Sequence, residues 1–101
     1  MRRIAKAKLQ KATAWVEQHF QDRVLPGRGP DGRPLYLLAQ RHVVQGVEQE
    51  TAVNIVAFAR LVASEVPEFD TMTPADVKAE LRSSTREKGY VDLERLLADS
   101  T

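Results

Sequence analysis

An all-α fold is what this sequence predicts: a compact bundle of four to five helices around one central apolar helix at about 48–65, leaving room for one small hairpin near 24–37. Three observations carry the expectation. Between Ala52 and Ala63 only Asn54 and Arg60 are polar, and the run is rich in alanine, the best helix former and a poor strand former. Neither Gly nor Pro interrupts the chain from Val47 to Val66. Elsewhere the apolar residues recur at spacings of three and four, as a buried helix face requires.

The first helix is expected over residues 3–21, with Ile4, Ala5, Leu9, Ala12, Trp15, Val16 and Phe20 on one face. Arg3, Lys6, Gln10, Thr13 and Glu17 take the other face. Its cations crowd the N-terminal turns, the unfavourable end of the helix dipole, which points to a partner or to solubility. Residues 22–34 then break the pattern: three of the five glycines and three of the five prolines lie there, and Pro30-Asp31-Gly32 is a turn signal. Arg23, Arg28 and Arg33 share that loop, where exposed backbone amides and guanidinium groups could hold phosphate. No Gly-Lys-Ser/Thr closes it, so it is not a P-loop.

Residues 35–45 read as helix from the spacing of Leu35, Leu38, Ala39, His42 and Val43, although Tyr36 and the Val43-Val44 pair suit a strand. Gly46 ends that helix or bends it into the central one. In the central helix Ile55, Phe58, Leu61 and Val62 fall on one face and Val53 and Val56 on the opposite side, so neighbours are expected on at least two sides. Pro67 ends it, and Phe69 folds back as a core anchor. Thr73 and Pro74 then read as N-cap and first residue of a helix to about Lys88, with Met72 and Val77 as a hydrophobic staple and Gly89 as the stop. A last short helix, 93–99, is capped by Asp92 and presents Leu93, Leu96 and Leu97.

At 101 residues the chain is expected to be a single domain, 1–101, able to form a modest core without metal or disulfide support. The lack of Cys excludes disulfides, thiol nucleophiles and cysteine metal ligands, and it fits a reducing, cytoplasmic setting. The basic N-terminal residues are followed by no continuous apolar segment, so no secretory signal is read. The apolar run falls short of the about 20 residues that a membrane span needs.

The net charge of +1 conceals a split. Residues 1–45 carry nine basic against three acidic side chains, a balance of +6, and residues 46–101 carry six against eleven, a balance of −5. Either the two halves attract each other, in the fold or in a dimer, or the basic half meets an anionic partner.

No catalytic constellation is visible. His19 and His42 lie among apolar neighbours as packed histidines do, no zinc or calcium spacing occurs, and no serine sits in a Gly-x-Ser-x-Gly turn. The expectation is a small, non-enzymatic protein-interaction or regulatory module without cofactor or metal, meeting another protein or a second copy of itself and no membrane. The alternative is a nucleic-acid-binding protein, touching phosphates through Arg2, Arg3, Lys6, Lys11, Arg28 and Arg33. A helix-turn-helix around Gly46 is rejected, because its recognition helix would be the most apolar stretch of the chain.

Overall fold

The computed structural model describes residues 4–27, 29 and 32–99 of the chain. The fold is α+β, not all-α: among the described residues there are four helices and a two-stranded antiparallel sheet. In order they are α1 (Lys6–His19), β1 (Tyr36–Val44), β2 (Val47–Asn54), α2 (Ile55–Glu65), α3 (Pro74–Lys88) and α4 (Val91–Asp99). Short 3-10 turns lie at Gln21–Arg23 and Phe69–Thr71.

The hairpin overturns two expectations. Residues 35–45 are strand rather than helix, and the helix expected over 48–65 is strand up to Asn54 and helix only from Ile55. Two residues explain the difference. Gly46 neither stops nor bends a helix: with Gln45 it makes a two-residue turn, φ 53° at Gln45 and 79° at Gly46. Positive φ at both central residues matches the twist of the flanking strands, and glycine takes it without steric cost. Asn54 is not a polar interruption within a helix but its N-cap. Its backbone is still extended (φ −67°, ψ 128°), while its side-chain carbonyl accepts from the Ala57 amide at 3.0 Å. One residue thus ends β2 and starts α2.

The hairpin expected near 24–37 is displaced along the chain to 36–54. What joins residues 24–25 to 36–37 is a single antiparallel bridge, Val24 to Leu37, with the Leu25 amide donating to the Tyr36 carbonyl at 3.0 Å.

The core lies chiefly between α1 and α2. Ala12, Trp15 and Val16 are buried from the first, with Phe20 at its C-cap, and Ile55, Phe58, Ala59, Val62 and Ala63 from the second. Phe20 meets Phe58 edge-on at 5.3 Å between centroids, and Trp15 meets Phe69 at 6.3 Å. Edge-to-face contacts of this kind add to the area they bury. Phe69 is the anchor that the sequence suggests, 2% exposed. The apolar rod is shorter and more one-sided than expected, with Val56 43% exposed on its outer face.

The remaining helices follow their sequence signals closely. The Thr73 hydroxyl caps α3 by accepting from the Asp76 amide at 3.2 Å, Pro74 opens it, and Met72 and Val77 both join the core. At its other end Gly89 takes φ 75°, and the Gly89 and Tyr90 amides return to the Arg86 and Thr85 carbonyls in a Schellman closure. Helix α4 buries Leu96 and Leu97 against α3 and the hairpin. The side chain expected to cap it, Asp92, lies outside what the structure describes. No helix among the described residues is long and apolar enough to cross a membrane.

Candidate functional site

The hairpin is the part of the chain that the fold uses least. Its foot is built in: Leu37 and Ala39 are buried, and Arg95 of α4 bonds Gln40. Burial then fades, and from Val43 to Glu50 every residue is exposed. The eight steps between the nine residues of β1, at about 3.3 Å each, reach roughly 26 Å, and the outer half stands off the helices as an arm. At its tip Val43, Val44 and Val47 are 68%, 43% and 60% exposed. Behind them Arg41 lies between Glu50, its cross-strand partner at 2.9 Å, and Glu48 at 3.0 Å. These pairs are open to water and steady the arm only weakly.

The two long edges of the ribbon differ. On β1 the foot of the outer edge is protected. Residues 24–25 cover its start, and a bulge between Leu38 and Gln40 bends it. Arg23 then donates from Nε to the Leu38 carbonyl at 2.9 Å and from Nη2 to the Ala39 carbonyl at 3.1 Å. The sequence groups Arg23 with the loop arginines as a phosphate ligand; the fold commits it to those two carbonyls instead. On β2 no such device exists: among the described residues no backbone group outside the hairpin bonds to this strand. At its foot lies an apolar cleft of about 320 Å³ lined by Ala52, Val53, Ala57, Phe58, Tyr90 and Leu93. Tyr90 is 44% exposed there.

The expected nucleic-acid contacts do not come together as one patch. Arg2, Arg3 and Arg28 lie outside the described residues. Lys6 and Arg33 line one cleft of about 250 Å³, shared with Thr13, Glu17, Leu35 and Val56. Lys11 is exposed on α1 but, five residues on, points about 140° away from Lys6. The polar face expected on α1 is therefore partly turned inward: Thr13 is buried, its hydroxyl donating to the Leu9 carbonyl at 2.8 Å, and Glu17 Oε1 is buried with no hydrogen-bond partner.

The histidines are packed residues. His19 packs at a tilt on Trp15, 4.7 Å between ring centroids, and burial, with the Lys78 ammonium nearby, holds its pKa below the ordinary 6.5. His42 is half-buried on β1, its Nδ1 enclosed without a hydrogen-bond partner. Among the described residues no group of three or more His, Asp or Glu side chains is placed to hold a metal ion.

The arm was missed in the sequence for want of a period. Glu48, Gln49 and Glu50 are all polar because neither face of the outer ribbon is buried, so alternation never appears. The signal that existed was Gln45-Gly46 set between the Val43-Val44 pair and Val47. Comparison with known proteins finds no matching family model, no matching curated protein and no matching solved structure.

Proposed function

We propose that this chain is a small, non-enzymatic protein-interaction module of the cytoplasm, and that the hairpin arm is its contact element. One observation carries the reading: Val44 and Val47, a cross-strand pair, are exposed on one face of the tip and Val43 on the other, on a ribbon that the rest of the fold leaves uncovered. Apolar side chains scattered singly over a surface need no explanation. An apolar cross-strand pair held out on an arm, beside an unprotected strand edge, is what an associating surface requires.

Nucleic acid is the weaker reading. The arm presents Glu48 and Glu50 against the single Arg41, and Lys6 and Arg33 share their cleft with a carboxylate. Phosphate contact needs an uncompensated basic surface.

The test is photo-crosslinking in the native cell, with a photoreactive residue at Gln45 or, as control, at Ser83 on exposed α3. Adducts to protein from the arm position and none from Ser83 are expected. Adducts from the arm to nucleic acid alone, or none, would overturn the reading.

A further inference from the structure

We infer that the occupant of the arm is a second copy of this chain, joined edge to edge through β2 into a four-stranded antiparallel sheet. The inference rests on the interaction reading above and names its partner.

The geometry begins at the turn. A two-residue turn closes on the hydrogen-bonded pair Val44–Val47, so alternate residues along β2 point their backbone groups outward: Glu48, Glu50, Ala52 and Asn54. Two copies can meet along that edge about a two-fold axis that sets some residue opposite itself. Charge narrows the register. Centring on Gln49 sets Glu48 against the partner's Glu50, and centring on Glu50 sets that carboxylate against its own copy. Like charges directly opposite are destabilising. Centring on Thr51 avoids both: Glu50 then faces the partner's Ala52, and Glu48 faces the partner's Asn54. Every outward backbone group from 48 to 54 falls opposite another outward group.

Two features support this register independently. Asn54 is the N-cap of α2, whose first turn carries no acidic side chain. The partner's Glu48 brings a carboxylate to that positive helix end. The arms also run antiparallel, so each tip reaches the other's foot. Val47 falls opposite the partner's Ile55, beside the cleft formed by Ala52, Val53, Ala57, Phe58, Tyr90 and Leu93. The exposed Val47 of one copy is thereby brought beside the exposed apolar cleft of the other. β1 is covered at its foot, so β2 offers the longer open edge, and a two-fold pairing of β2 with β2 uses that edge up.

The chain has no cysteine, so a single Cys reports contact cleanly. Thr51→Cys sets the new thiols directly opposite each other in a non-hydrogen-bonded pair, within disulfide reach. Gln49→Cys sets its two thiols about 13 Å apart along the strands. The expected result is a dimer of the unaltered chain by sedimentation equilibrium, a disulfide-linked dimer of Thr51→Cys on mild oxidation, and none of Gln49→Cys. Mixing Gln49→Cys with Val53→Cys restores the link between unlike chains, which keeps the test valid if Thr51→Cys folds poorly. A monomer at every concentration overturns the inference. So does a dimer in which both Thr51→Cys and the Gln49→Cys with Val53→Cys mixture stay reduced, or in which Gln49→Cys alone links as readily. A monomer that still gives arm adducts to another protein in the cell overturns this partner and leaves the interaction reading standing.

Discussion

At the scale of single residues, the side chains with most chemistry serve the fold. Arg23 holds two adjacent carbonyls of β1 on an edge that would otherwise be open. Hydrogen bonds from a charged donor contribute more than neutral ones, so Arg23→Ala is expected to lower the unfolding free energy by about 2 kcal/mol in urea titration. His19 gives the pH response its sign. Burial first, and the Lys78 ammonium second, lower its pKa in the folded chain. The unfolded chain therefore binds the proton more readily, and stability rises with pH. The His19 contribution is fully present above its ordinary pKa of 6.5 and is lost as pH falls below that value. Melting curves across that range should show a fall on acidification that His19→Gln diminishes. A fall of the same size in His19→Gln would assign the response to other groups.

At the scale of elements, the helices were legible and the hairpin was not. Helix α3 could be read because each end has its own chemistry: Thr73 and Pro74 at the start, Gly89 at φ 75° at the end. Helix α1 could be read because Leu9, Ala12, Trp15, Val16 and Phe20 are packed at helical spacing. The hairpin hid behind Asn54 and Gly46, single residues whose role depends on what the neighbouring chain does. Removing the cap with Asn54→Ala should cost about 1 kcal/mol. Gly46→Ala places a Cβ at φ 79° and should weaken the turn by about 1–2 kcal/mol, read as faster amide exchange in the arm. Of the candidate contacts, spacing alone could not show that Lys6 and Arg33 share a cleft while Lys11 points elsewhere, since the path of the loop that brings Arg33 to α1 depends on the hairpin that follows it.

At the scale of the whole molecule, one part of the chain is committed to packing and another is held outside it. Phe58, 1% exposed, belongs to the first, and Phe58→Ala should destabilise by about 3–5 kcal/mol in denaturant titration. Val47, 60% exposed, belongs to the second, and Val47→Ser should stay within about 0.5 kcal/mol of the parent in its monomeric form. The charge split cuts across that division, since the balance changes from +6 to −5 at the turn between the strands and each half holds both core helix and arm strand. The most direct measurement is amide hydrogen exchange along residues 47–54 as the chain is diluted. An arm that is an associating edge is protected at Glu48, Glu50, Ala52 and Asn54 when concentrated and loses that protection on dilution, while core amides of α2 do not change. Exchange in β2 that is independent of concentration would contradict the account.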